Sequence, residues 1–159
     1  MAADLSRTAK RVRALQGSAS KEPIGVIQTQ DYPCVAVVEG GPDTLAAFHF
    51  MLVCGTQDVV APICMESTSA EFSAADLKRL RGKSVLIFPH HTKKEERQAT
   101  LKWLAQLETV CADIEVIDLR GLCKDLNELT TLEYDDCEQC RFDLETLMIF
   151  EGRVECHAK

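Results

Sequence analysis

An α/β fold with a mainly parallel, four-stranded sheet and helices on both faces is what this sequence predicts. Two observations carry the expectation. The run Cys34–Val38 is continuously apolar, as a strand buried on both faces must be, and Val59–Ile63, Val85–Phe88 and Ile114–Ile117 read as three further strands. The stretches between them have helical spacing and short links, which suits right-handed crossovers in a three-layer sandwich. A third observation concerns chemistry. The first apolar run ends abruptly in Glu39, and Asp43 follows four residues later.

The elements follow in chain order. Residues 1–22 form a polar tail in which 4–15 has weak helical spacing, with Leu5, Val12 and Leu15 on one side; "GSASKEP" reads as a linker. Ile24–Gln28 alternates and reads as a short edge strand. After the first strand, Gly40-Gly41-Pro42 allows a sharp turn into a helix over Thr44–Leu52, with Leu45, Ala46, Phe48 and Leu52 as its apolar positions. Ser73 is a natural N-cap for a helix running to Leu80, and Gly82 ends it. A long helix over Lys94–Val110 offers Leu101, Leu104, Leu107 and Val110 on one face. The domain therefore spans residues 23–130. Residues 131–159 break the rhythm and read as an extension that packs on the domain or is flexible. Within it "DLETLMIFEGRVEC" has the character of a helix or strand with a turn at Gly152.

Composition narrows the class. The 159 residues are 46% apolar and 27% charged, which is normal for one globular domain. No apolar run approaches the roughly 18 residues of a membrane span, and the N-terminus lacks the apolar core of a signal peptide. A cytoplasmic protein without a membrane partner is the expectation. The net charge of −7 does not suit a free-standing nucleic-acid clamp, although local basic clusters exist, among them Lys93, Lys94 and Arg97. Eight cysteines in a reducing compartment read as buried, metal-bound or reactive thiols. Cys34, Cys54 and Cys111 sit in apolar patterns and read as buried. Cys137 and Cys140 form a C-x-x-C whose only further partners, Cys123, Cys156 and His157, are poorly spaced for zinc.

Ligand sites in such sheets form at the carboxyl ends of the strands, where Glu39 lies. Asp43, in the first turn of the next helix, suits the positive helix end and so has a structural role open to it. Glu39 has no such explanation, because a cap would be Ser, Thr, Asp or Asn.

Glu39-Gly40-Gly41-Pro42-Asp43 resembles the Glu-Gly-x-x-Asp motif of Toprim domains, found in bacterial primases, topoisomerases and phage primase-helicases. "LRGKSVLIF" is similar to the approach to the second Toprim motif. "KDLNE" is similar to a Lys-Asp-x-Asn-[Asp/Glu] run of primase-type Toprims, here Lys124, Asp125, Asn127 and Glu128. The resemblance covers Pro33 to Leu129. It implies a Toprim-like three-layer sandwich that holds Mg²⁺ or Mn²⁺ for phosphoryl transfer, with Glu39 as ligand or general acid–base and with Gly40, Lys124, Asp125 and Asn127 as supporting motif.

The sequence departs from that family at one place. The Asp-x-Asp pair of the second motif falls on Pro89-His90-His91. Imidazole suits Zn²⁺ better than Mg²⁺. The expected metal residues are thus Glu39, Asp43 and His91, with Glu66 or Cys64 as further candidates; Mg²⁺ or Mn²⁺ leads and Zn²⁺ is the lesser candidate. His90, Lys93 and Lys94 make an anion-friendly rim for phosphate or nucleic acid. The expected function is a nucleic-acid-associated module of a primase or primase-helicase kind, with DNA or RNA and other replication proteins as partners and an impaired metal site. The alternatives are an active metal-dependent primase or nuclease, and an unrelated domain binding a nucleotide or anion at the Gly40-Gly41 turn.

Overall fold

The computed structural model describes residues 21–90, 93–117, 119 and 123–130. Four strands and four helices alternate along them. They are β1 (Cys34–Glu39), α1 (Gly41–Val53), β2 (Val60–Met65), α2 (Ala74–Leu80), β3 (Ser84–Phe88), α3 (Lys94–Leu107), β4 (Asp113–Val116) and α4 (Leu126–Leu129). The strands form one sheet in the order β2-β1-β3-β4, and every pairing is parallel. The chain thus runs outward from β1 in one direction, to β2, and then in the other, to β3 and β4. The reversal lies between β1 and β3, where a crevice opens at the carboxyl ends of the two strands.

Each strand shows alternate residues to opposite faces, and the two faces have separate cores. Cys34, Ala36 and Val38 of β1 pack with α1, α4, Leu86 and Phe88 on one face. Val35 and Val37 pack with α2, α3, Ile63, Val85 and Ile87 on the other. This double burial is the reason β1, β2 and β3 read as apolar runs, whereas the edge strand β4, Asp113–Val116, is largely exposed and carries Asp113 and Glu115. The expected α/β sandwich with a four-stranded sheet is present, and the sheet is wholly parallel.

Local chemistry explains most boundaries. Ser73 caps α2 as expected: its Oγ accepts from Asp76 N–H at 3.2 Å, while the Asp76 carboxylate accepts from Ser73 N–H at 3.0 Å. The chain leaves α2 through Gly82, whose φ of +76° is open to glycine at little cost. Trp103 on α3 is fully buried, and its indole N–H donates to the Ala70 carbonyl at 2.8 Å.

Three expectations need correction. Ile24–Gln28 is not a strand: Ile24 makes one antiparallel bridge to Cys64, and the chain then coils into a 3₁₀ turn at Ile27–Thr29. The buried side of α3 is Glu96, Ala99, Thr100, Trp103 and Leu107, whereas Leu101 is 65% exposed. The stripe is shifted because Trp103, the bulkiest residue, takes the core position. In α1 the buried residues are Ala46, Ala47, Phe50 and Met51, and the expected face of Leu45, Phe48 and Leu52 points outward. Small alanines let α1 lie close to the sheet. Of the cysteines, Cys34 and Cys64 are buried, Cys54, Cys111 and Cys123 are half-buried, and no disulfide links any of these described ones. Burial pushes the Cys111 thiol up to about 11, so it is not a reactive thiolate. The expectations for residues 4–15, for the Cys137–Cys140 pair with Cys156 and His157, and for the extension 131–159 lie outside the described residues. Among the described residues no helix is long and apolar enough to cross a membrane.

Candidate metal centre at the strand-order reversal

The crevice between β1 and β3 collects one imidazole and four carboxylates. Glu39 is the last residue of β1 and reaches it directly. Gly40 follows with φ +88° and ψ +166°, a conformation for glycine rather than for a residue with a Cβ. Its N–H still bonds the Met65 carbonyl at 3.0 Å, so the turn starts only once β1 is fully paired. Pro42 in the first turn of α1 leaves no donor unsatisfied, and Asp43 follows it.

Asp43 is 2% exposed. It accepts from the Asn127 N–H in α4 at 2.9 Å, and its other oxygen lies 2.5 Å from His90 Nε2. It therefore ties three segments together. His90 extends from the end of β3. Its Nε2 lies 4.0 Å from Asp125, and its Nδ1 lies 3.8 Å from Glu39. Glu96, in the first turn of α3, completes the inner wall; it is 6% exposed and accepts from Lys93 N–H at 2.8 Å. Two ligand groups result, each with donor atoms within 4.8 Å of one another: Glu39, His90 and Glu96, and Asp43, His90 and Asp125. His90 belongs to both.

The Lys124–Glu128 run forms a compact local motif. Asp125 caps α4 by accepting from Glu128 N–H at 2.8 Å, and the Glu128 carboxylate accepts from Lys124 N–H at 2.5 Å. Lys124 Nζ pairs with Asp125 at 3.0 Å. The motif turns Asp125 and the Asn127 N–H toward the crevice.

Electrostatics follow from this crowding. Burial raises the Glu39 carboxyl above its ordinary pKa, with Glu96 and Asp43 adding to the rise and His90 opposing it. The hydrogen bond to Asp43 raises His90, and this outweighs its burial. Burial would raise Asp125, but bonds from Glu128 N–H and Lys124 hold it below its usual value. His90 thus stands among carboxylates that favour its protonated form. Glu39 Oε2, 3.8 Å from His90 Nδ1, is buried and has no hydrogen-bond partner among the described residues. A buried carboxylate oxygen in that state fits a cation ligand.

Of the residues read from sequence, Glu39, Asp43, His90 and Asp125 meet here, with Gly40, Lys124 and Asn127 supporting them. His90 stands inside the cluster, not on an outer rim. His91 lies outside the described residues. Lys93 and Lys94 are exposed at the start of α3, beside the cluster. Glu66 and Cys64 belong to neither ligand group; both line a groove on the α1 side of β2. Glu96 was missed. Its signal was a carboxylate three residues after the N-cap Lys93, on the side that Ala99 and Trp103 mark as buried. Comparison with protein-family models, with curated proteins and with solved structures finds no match for this chain.

Proposed function

We propose that this protein is a Toprim-like, nucleic-acid-associated module whose crevice between β1 and β3 binds one divalent cation weakly and in competition with a proton. The observation that supports this most is the buried Glu39 Oε2, which accepts no hydrogen bond among the described residues, beside a ligand set shared through His90. Glu39, Asp43, His90, Glu96 and Asp125 would hold the ion. A mixed imidazole and carboxylate set suits Mn²⁺ or Zn²⁺ better than Mg²⁺. A bound cation supplies charge neutralisation to phosphate oxygens.

The chain's own groups have separate tasks. The Asn127 N–H fixes the Asp43 carboxylate, and Asp43 fixes the His90 ring and its Nε2 proton. Lys93, Lys94 and Lys124 form a cationic rim that draws a phosphate toward the acidic centre. The centre is impaired as a Mg²⁺ site because an imidazole stands among the carboxylates where Mg²⁺ prefers oxygen ligands. A binding module is therefore favoured over a primase or nuclease. The rival anion site at the Gly40-Gly41 turn is disfavoured, since Asp43 places a carboxylate in the first turn of α1.

The test is calorimetric titration of metal-stripped protein with Mg²⁺, Mn²⁺ and Zn²⁺, beside Glu39→Gln. It is paired with anisotropy of short single-stranded DNA and RNA. Mn²⁺ or Zn²⁺ binding weakened in Glu39→Gln, with metal-dependent oligonucleotide binding and no cleavage or primer synthesis, supports the module. Turnover with Mn²⁺ would make it an enzyme. No metal binding in the wild type would end the proposal.

A further inference from the structure

The crevice offers a cation two ligand groups that have only His90 in common. One imidazole ring meets them with different atoms. Its Nδ1 is turned to Glu39, which is grouped with Glu96, and its Nε2 is turned to Asp43 and Asp125. Lysines do not choose between the groups, because each has one: Lys93 Nζ lies 3.4 Å from Glu96, and Lys124 Nζ lies 3.0 Å from Asp125.

Hydrogen bonding does choose. Nε2 stands 2.5 Å from one oxygen of Asp43, which is a hydrogen-bond distance. Two ligands of one tetrahedral ion, each about 2.0–2.1 Å from it, stand about 3.3 Å apart. The other Asp43 oxygen accepts from the Asn127 N–H at 2.9 Å, so both oxygens of this buried carboxylate are in use. A carboxylate only accepts, so the shared proton belongs to Nε2, and a neutral ring protonated there keeps its acceptor lone pair on Nδ1. Nδ1 is 3.8 Å from Glu39 Oε2, too far for a hydrogen bond and near the separation of two ligands of one ion. That oxygen is buried and accepts no hydrogen bond among the described residues.

We propose that the cation sits between Glu39, Nδ1 of His90 and Glu96, and that Asp43 is a positioning residue, holding the Nε2 proton so that the Nδ1 lone pair meets the ion. This rests on a cation occupying the crevice, as proposed above. Asp43, braced by Asn127, is then the outer carboxylate that orients a ligating histidine and fixes its tautomer. Asp125 lies 4.0 Å from Nε2, on the protonated side of the ring, and is left to cap α4. Asp43→Asn should reverse the tautomer. Its amide oxygen keeps the bond from Asn127 N–H, and its NH₂ then faces Nε2. A donor there takes the Nε2 lone pair, and the proton moves to Nδ1, where it blocks the ion.

Long-range ¹H–¹⁵N correlation spectra of the full-length protein, labelled with ¹⁵N-histidine and titrated with Zn²⁺ in mildly alkaline buffer, test this. The cross-peaks to the ring hydrogens distinguish Nδ1 from Nε2, and the spectrum of His90→Gln assigns His90 among the four histidines. Zn²⁺ should shift Nδ1 of wild-type His90 and leave Nε2 protonated. In metal-free Asp43→Asn the proton should sit on Nδ1, and the Kd for Zn²⁺ by calorimetry should rise about ten- to a hundredfold. A merely structural Asp43 would leave the tautomer as it is, and that result would overturn its positioning role. Zn²⁺ held through Nε2, or a shift confined to another histidine, would overturn the assignment while the cation reading stands. Zn²⁺ that binds nowhere on the wild type would overturn both. The wild-type spectra decide where the ion sits even if Asp43→Asn does not fold.

Discussion

At the residue scale, the Asp43–His90 pair decides how the crevice behaves in the absence of metal. Both partners are largely buried, and the Asn127 N–H depends on the same carboxylate. Asp43→Asn removes the charge while leaving an amide oxygen for Asn127. It should cost about 2–3 kcal/mol in urea denaturation, as the loss of a charged, part-buried hydrogen bond does. The pH dependence has a definite sign. His90 has a folded-state pKa above its ordinary 6.5, so its contribution is complete below that pH and fades as pH rises through the folded value. Glu39 is also raised, from 4.5, so its contribution has the same sign, being present at acid pH and lost as pH rises. Asp125 is depressed and acts oppositely, losing its contribution only as pH falls through its lowered value. Between neutral and mildly alkaline pH, the metal-free protein should lose stability. Imidazole resonances of His90 should titrate above pH 6.5 in the wild type and return toward or below it in Asp43→Asn. An unchanged midpoint would mean that Asp43 does not hold the proton. Part of this was legible in the sequence: Glu39 could be read because a carboxylate at the end of a buried strand has no local purpose. The partnership with His90 could not, because it joins residues 47 positions apart and depends on which way a ring turns.

At the element scale, strand positions were readable to within two residues, since burial on both faces forces apolar runs in β1, β2 and β3; the exposed edge strand β4 was read from Ile114, Val116 and Ile117 alone. Helix faces were read less well, and α1 and α3 show why. Periodicity counts apolar residues without knowing how close a helix must approach the sheet. Alanines at 46 and 47 win the inner face of α1 by their small size, and Trp103 takes the core side of α3 by its bulk. Trp103 also fixes α3 to the segment before α2 through Ala70. Trp103→Phe keeps most of the ring packing but leaves the buried Ala70 carbonyl without its donor, so it should cost about 1–3 kcal/mol. Trp103→Ala adds a cavity and should cost about 3–5 kcal/mol. Circular dichroism in denaturant checks both, and a negligible cost for Trp103→Phe would show that the hydrogen bond contributes nothing. Ser73→Ala removes half of the capping box and should cost about 1 kcal/mol, whereas Ser73→Asn should be nearly neutral.

At the scale of the whole molecule, the order β2-β1-β3-β4 opens the crevice, and five separate segments then fill it. β1 brings Glu39, α1 brings Asp43, β3 leads to His90, α3 brings Glu96, and the Lys124–Glu128 motif brings Asp125. A cation bound there would tie together elements from both faces of the sheet, so binding should stabilise the entire fold rather than one loop. At a hundredfold excess over Kd the gain is about 2.7 kcal/mol. The same cation must displace the His90 proton if His90 is a ligand, which gives the linkage a readable slope. Below the folded-state pKa of His90, Mn²⁺ affinity should rise about tenfold per pH unit, and above it the affinity should level off. Glu39→Gln should weaken binding at every pH and keep the slope, because the proton displaced is not its own. His90→Ala should remove the slope over this range while the carboxylates retain residual affinity. Calorimetry in two buffers of different ionisation enthalpy gives the proton count directly. One proton released per cation in the wild type and none in His90→Ala is the expected result. A wild-type titration that releases no proton would place the cation away from His90, and the imidazolium would then be a permanent structural counter-ion.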